Sequence, residues 1–550
     1  MLEGCVPWPD DLVERYVRDG IWEPQSLGKV LEERARGTPQ RVFLADEYGK
    51  LTYREVNRLA SRIARELLRR GLRRRDIALM QLPNIREFVI VFFALQKIGV
   101  VPVMCLPAHR EREIGHFAQM TGARAMFFSQ GDRGFDSAAM AKAVQTRATG
   151  LRHLFAVGGG EEAGIGHLGP VFSRAFDEAD DDEALEEVPV DPFEVAFMLL
   201  SGGTTGVPKL IPRTHADYLY NCRQCAEVLG WDSGTVYAAA LPAAHNFALG
   251  APGIIAVLAV GGTVVLSSST EADDVLGAIE KHQATVLPVT PALMIALLES
   301  EAIGRRKLSS LRQVCVGGQR MLPELFERIA AALGHVIPIH AFGMAEGLTN
   351  LTRPGDAREL KRQTQGRPVS PLDQIRIVDE MGRDVAEGAV GELITRGPYT
   401  IRGYYRAAAH NAEAFTADGY YRTGDLVRLH PSGNLIVEGR KKDVINRGGE
   451  KISVEEVEDL ILSHPGVRMV AVVAMPCPVM GERSCAFVVP VRGQLLTLND
   501  LTLFLTEKKI AKFKLPERLE VVDALPLTTM GKVAKKVLRE QVATEMAGAG

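Results

Sequence analysis

Along roughly the first 440 residues of this 550-residue chain, stretches with a helical spacing of apolar positions alternate with short β-branched runs. Residues 52–70 set Leu59, Ile63, Ala64, Leu67 and Leu68 on one face, which predicts an amphipathic helix. Residues 100–104, 195–200 and 262–266 are short apolar runs that predict buried strands. The alternation implies an α/β fold of parallel or mixed sheets covered by helices. It breaks first at the acidic stretch 177–187, read as a solvated surface connection. The second break is sharper. Residues 425–438 predict a hairpin turning at Pro431-Ser432-Gly433-Asn434, and the charged run Gly439-Arg440-Lys441-Lys442-Asp443 follows. Beyond it, a helix at 454–462, strands at 469–474 and 485–490, a helix at 498–510 and a last strand at 520–522 make a small α/β unit. A division into residues 1–440 and 441–550 is therefore expected, with Lys535 and Lys536 as solvated charges in a basic tail.

A chain this long exceeds a single hydrophobic core, in keeping with two domains. Its 46% hydrophobic and 24% charged residues are ordinary for a soluble globular protein, and a net charge of −3 gives no electrostatic argument for nucleic acid or a membrane surface. Seven scattered cysteines, an odd number, and an acidic, proline-broken N-terminus predict a reducing, cytoplasmic location. Cys222 and Cys225 form a CxxC with no second pair nearby, read as two helix-face cysteines. The longest apolar run, from Phe88, is interrupted by Gln96 and Lys97 and is too short to span a bilayer.

Chemistry enters with the loop after the 195–200 run, Ser201-Gly202-Gly203-Thr204-Thr205-Gly206-Val207-Pro208-Lys209. Small, hydroxylated and glycine residues let backbone N–H groups and two Thr hydroxyls close around a phosphate, and Lys209 supplies charge. Leu210 after the lysine excludes the Walker pattern, which needs Ser or Thr there.

Four further segments accompany the loop: His340-Ala341-Phe342-Gly343-Met344-Ala345-Glu346, Tyr421-Arg422-Thr423-Gly424-Asp425, Gly439 to Asp443 running into Arg447-Gly448-Gly449-Glu450-Lys451, and Gly531-Lys532. In order and spacing the five resemble the motifs of the adenylate-forming superfamily of acyl-CoA synthetases, luciferases and peptide-synthetase adenylation domains, over essentially the whole chain. The resemblance implies a large N-terminal domain, a small mobile C-terminal domain, ATP and Mg²⁺. It implies further that Thr204, Thr205 and Lys209 take the β and γ phosphates, and that Glu346 helps hold magnesium. By the same resemblance Asp425 and Arg440 hold the ribose, and Gly317, Gly318 and Gln319 wall the adenine and acyl sites beside Gly343, Met344 and Ala345. Lys532 would bridge the carboxylate and the α-phosphate. Lys442 would be the hinge, and Arg447, Gly448, Gly449 and Lys451 would lead the face used for thiol attack.

The segment Leu241 to Ala251 lies where the family keeps its acyl pocket. Enzymes for α-amino acids place an Asp near Asn246, whereas a neutral amide suits a hydroxyl beside a carboxylate, as in a 2-hydroxybenzoate. With Pro7-Trp8-Pro9 and Gly20-Ile21-Trp22, this region resembles the stand-alone aryl acid–AMP ligases. The pocket would comprise Asn246, Phe247, Ala251, Gly317, Ala341, Gly343 and Thr349. His245 either shapes the carboxylate site or packs as a gate; it is not needed as a base, because a carboxylate is already ionised at neutral pH. One departure matters: the dihydroxybenzoate enzymes carry Ser at the position aligned with Ala251, to meet the 3-hydroxyl. Ala leaves that hydroxyl unpaired at a cost of roughly 1–3 kcal/mol. Salicylate or a ring-substituted salicylate is favoured, and Gly250 with Ala251 is expected to leave room for a substituent. The thiol acceptor is expected in trans, an aryl carrier protein bearing phosphopantetheine or else free coenzyme A. A nucleotide-binding sensor without catalysis is the reading from another class.

Overall fold

The computed structural model describes residues 1–130, 134–160, 162–169, 172, 188–201, 208–448, 450–477, 479–528 and 531–548. Two large sheets dominate the N-terminal part. The nine-stranded one has a parallel centre, in the order Ile337–Met344, Gln313–Gly317, Val286–Val289, Val236–Ala239, Thr263–Leu266, Val42–Asp46, and antiparallel strands at both edges. The seven-stranded one is parallel except where Val195–Leu200 pairs antiparallel with Leu210–Thr214.

Alternation along each strand assigns its two faces to different cores. Cys315 packs into the cluster between the large sheets, with Phe43, Phe127 and Ala196, while Val314 and Val316 join Leu287 and Ile329 on the outer face. The predicted helix at 52–70 is Tyr53–Arg69, started by a capping box between Thr52 and Glu55 and buried against helix Arg86–Lys97 between the sheets. Cys222 and Cys225, both fully buried on helix His215–Leu229, face the same core. Among the described residues no helix is long and apolar enough to cross a membrane.

A four-stranded antiparallel sheet ends with the expected hairpin, Tyr421–Leu429 against Leu435–Arg440, closed by the His430 N–H donating to the Asn434 carbonyl at 2.8 Å. The small C-terminal domain follows. Its sheet carries apolar side chains on both faces: Val472, Ala486 and Val488 pack under helices Val454–Leu462 and Leu498–Glu507, while Val473, Cys485 and Phe487 pack against Leu538 and Val542. That second face is covered by a helix at Lys535–Gly548, where a basic tail was expected. Lys535 is correspondingly not a solvated charge: its Nζ lies 2.8 Å from Glu458 and the pair is largely shielded. The hairpin Ile445–Arg447 with Glu450–Ile452 is likewise additional to the expected elements. The acidic stretch 177–187 lies outside the described residues.

Candidate active site

The Ser201–Lys209 loop joins two antiparallel strands, Val195–Leu200 and Leu210–Thr214. Its ends are fixed by the Ser201 N–H on the Lys209 carbonyl and the Lys209 N–H on Ser201 Oγ, both 2.9 Å. Gly202, Gly203, Thr204, Thr205 and Gly206 lie outside the described residues. Lys209 Nζ reaches out 5.8 Å from the centre of the Tyr404 ring, whose hydroxyl donates to Glu346 Oε1 at 2.7 Å. The loop's lysine and the buried Glu346 thus come together around one tyrosine that motif reading did not single out.

Glu346 follows strand Ile337–Met344, and buried contacts hold its backbone. Arg213, with no exposed surface, donates to the Ala345 carbonyl at 2.7 Å and to the Tyr399 carbonyl at 2.9 Å while its charge is met by Asp217. The Ile401 N–H donates to the Glu346 carbonyl at 2.8 Å. Arg213 was also missed, although a charged residue inside the apolar run Leu210–Thr214 was a visible signal. The aromatic N-terminal segment, Trp8, Tyr16 and Trp22, packs with Ala216 and Phe193, and Trp22 Nε1 donates to the Pro398 carbonyl at 3.0 Å, near the Tyr399 carbonyl that Arg213 holds.

Asp425 and Arg440 are cross-strand partners, and the guanidinium Nε sits 2.7 Å from Asp425 Oδ1. The other carboxylate oxygen, Oδ2, is buried without a protein partner. Burial raises this carboxyl above its usual range, and Arg440 opposes the rise. A buried acceptor with an open lone pair is suited to a ligand hydroxyl.

Lys532 arrives from the small domain. Its Cε lies 3.1 Å from where a Cβ on Gly318 would stand, and its N–H donates to Thr528 Oγ1 at 3.1 Å. Burial and Arg440 pull its ammonium down to about 8, against the opposing influence of Asp425 and Glu346. These groups therefore share one locality. Gly317 ends a strand, with Gly318 and Gln319 in the bend after it. A Cβ on Gly317 would be 3.0 Å from both the Phe247 ring and the Ala341 carbonyl, so the glycine is what lets the ring approach the strand.

The next wall is the turn His245–Leu249. His245 Nδ1 accepts the Phe247 N–H at 3.2 Å, leaving the ring proton on Nε2, and burial, aided by Lys532, pulls the imidazole down to about 3. The ring is neutral at physiological pH and caps the turn. Asn246 Oδ1 accepts from the Tyr218 hydroxyl at 2.8 Å. Thr349 pairs with Gly343 across the strands, and its buried Oγ1 has no protein partner. The room expected at Gly250 is absent: a Cβ there would overlap the Tyr218 ring, which fills that space. Ala251 remains as a small buried side chain.

The residues expected to serve thiol attack are elsewhere. Arg447 is paired with Glu517 at 3.0 Å, Gly448 donates its N–H to the Met480 carbonyl at 2.7 Å, and Lys451 is paired with Glu380 of the large domain. Gly449 lies outside the described residues. Lys442 stands in the turn after strand Leu435–Arg440.

Residues 31–405 match the AMP-binding enzyme family, and residues 456–532 match the AMP-binding enzyme C-terminal domain. The chain is 43% identical over 546 residues to a 2,3-dihydroxybenzoate-AMP ligase of Bacillus subtilis, covering 99% of both chains. It is 46% identical over 541 residues to a salicylyl-CoA synthase / salicylate adenylyltransferase of a Streptomyces species, covering 98% of both. The apo structure of MbtA from Mycobacterium smegmatis superposes with a TM-score of 0.75 at 39% identity, over 98% of this chain and 99% of that one. With its family model matched over most of its length and relatives aligned from end to end, the chain belongs to the AMP-binding enzyme family.

Proposed function

We propose that this protein is an aryl acid–AMP ligase. It uses ATP to convert a 2-hydroxybenzoate, salicylate or a ring-substituted salicylate, into its acyl-adenylate, and then passes the acyl group to a thiol. The observation that carries the reading is the meeting of Lys532 with the Gly317-Gly318 bend, between the Asn246–Phe247 wall on one side and the Asp425–Arg440 pair on the other. In the first half-reaction a carboxylate oxygen attacks the α-phosphorus of ATP; the new O–P bond forms as the bond to the bridging oxygen breaks and pyrophosphate leaves. Two anions must meet for this, so a cation on the line of approach is the most effective help a protein can give, which is the role of Lys532. Asp425 Oδ2 accepts the ribose hydroxyls, with Arg440 alongside. The loop from Ser201 to Lys209, with Thr204 and Thr205, takes the β and γ phosphates.

Among the described residues no group of three or more His, Cys, Asp or Glu side chains could hold a metal. Glu346, with one oxygen engaged by Tyr404, fits a magnesium ion whose other ligands come from phosphate. Bound there, the ion would neutralise triphosphate charge.

In the second half-reaction the thiolate attacks the acyl carbon and AMP leaves. The reading makes Lys442 the hinge between domains 1–440 and 441–550, about which the small domain turns Arg447, Gly448, Gly449 and Lys451 toward the site. The thiol is that of a phosphopantetheine-bearing aryl carrier protein. Free coenzyme A is the second reading, favoured by the name of the Streptomyces relative. Work on ATP and such a carrier belongs in the cytoplasm, as do seven free cysteines.

Aryl-acid-dependent exchange of labelled pyrophosphate into ATP tests the proposal. Salicylate and 6-methylsalicylate are expected to exceed 2,3-dihydroxybenzoate, benzoate and octanoate by about tenfold in kcat/KM, which is about 1.4 kcal/mol. A lead for 2,3-dihydroxybenzoate would reject the argument from Ala251, and no exchange with any acid would reject the activity.

A further inference from the structure

Tyr218 is fully buried, and burial holds its phenol well above the usual value, so it stays protonated and must place its proton on an acceptor. Two oxygens lie within reach, Asn246 Oδ1 at 2.8 Å and the Asn246 main-chain carbonyl at 3.4 Å. The carbonyl already accepts the N–H groups of Gly250 at 3.0 Å and Ala251 at 3.3 Å, which occupies both its lone pairs. Arg213, stacked 4.9 Å from the ring centre, can only donate. The phenol proton therefore belongs to Oδ1, and the amide of Asn246 is held in one orientation, its oxygen turned to Tyr218 and its Nδ2–H₂ turned away. Among the described residues no hydrogen bond engages that Nδ2. Gly250 belongs to the same device. Its φ of −138° is open to any residue, so it is the approach of the Tyr218 ring that requires glycine there.

We infer that Tyr218 is a specificity-determining positioning residue. By fixing the Asn246 amide it makes the acyl pocket a hydrogen-bond donor toward the ortho position of the ring, which selects an acceptor there and rejects a donor. The inference rests on the aryl acid reading above. In salicylate the ortho hydroxyl donates to its own carboxylate and leaves oxygen lone pairs outward. In anthranilate the amine nitrogen gives its lone pair to the ring and presents N–H, which meets Nδ2–H donor to donor. Turning the amide to suit anthranilate would have Nδ2 donate to Tyr218 and leave the phenol proton without a free acceptor.

The test is the ratio of kcat/KM for salicylate to that for anthranilate in pyrophosphate exchange, which does not depend on how much of a preparation is active. The wild-type ratio is expected to be at least about tenfold. In Tyr218→Phe, which keeps the ring and frees the amide to turn, the ratio is expected to fall to within about threefold, chiefly by a gain on anthranilate. Gly250→Ala, which displaces the ring, should shift it the same way. A wild-type ratio near one overturns the inference without any variant, and so does a large ratio that neither substitution moves. Absence of wild-type exchange with both acids would instead remove the parent reading, and this one with it.

Discussion

Lys532 holds its charge where burial and Arg440 disfavour it, and Asp425 and Glu346 only partly compensate, so its ammonium titrates at about 8. As the proposed bridging cation it acts in the protonated form, which is lost as pH rises through that value. The kcat/KM for ATP, which reports the free enzyme, is expected to decline with a single-proton limb near pH 8. Asp425→Asn removes a carboxylate that raises this lysine and should move the limb to lower pH, whatever it does to the rate; a limb that does not move would detach Lys532 from this cluster. Lys532, Asp425 and Glu346 were legible in the sequence because each ends a short motif. Tyr218, Tyr404 and Arg213 were not, because their partners Asn246, Glu346 and Ala345 are 28, 58 and 132 residues away. Lys535 was misread for a related reason: a lysine beside a lysine looks solvated until Glu458 is brought beneath it.

At the scale of elements, the proposed hinge is the turn after strand Leu435–Arg440, where a dihedral change would carry the whole small domain. It is short and tied at both sides, Lys441 donating its N–H to the Gly424 carbonyl at 2.9 Å and Asp443 pairing with Arg539 at 3.1 Å. Proline at 442 would fix φ. Lys442→Pro is expected to leave pyrophosphate exchange within about threefold of wild type and to slow acyl transfer to a thiol on the order of 100-fold, the cost of a misplaced reacting group. Equal losses in both assays would contradict a hinge there. Long periodic elements were readable in advance: residues 52–70 became Tyr53–Arg69, and the 454–462 helix was found where expected. Helix Lys535–Gly548 was not, because only Leu538, Val542 and Met546 mark its apolar face, one residue per turn. The apolar run at residues 469–474 held the missing clue, since a strand apolar on both faces needs a cover on each. The three-residue strands of the 445–452 hairpin are too short to display a period at all.

Across the whole molecule, ion pairs join the small domain to the large one. Arg320 meets Asp459 at 2.8 Å, Arg468 meets Glu299 at 2.8 Å, and Lys451 meets Glu380. The last two are exposed and contribute about 0–1 kcal/mol each, enough to bias an orientation and not enough to lock it, while Arg320–Asp459 is mostly covered. In this orientation Lys532 is at the site and Arg447 is turned to Glu517, which is the arrangement expected of the first half-reaction. Whether this closed arrangement forms an aryl adenylate with Lys532 as its cation can be read from a single turnover. Excess wild-type protein would be mixed with ATP and salicylate, without any thiol, quenched, and assayed for bound salicyl-adenylate. Close to one adenylate per limiting ATP is expected, with formation at least about 100-fold slower in Lys532→Ala with ATP still bound. No adenylate from the wild-type protein, or an unchanged rate in Lys532→Ala, would contradict the proposal.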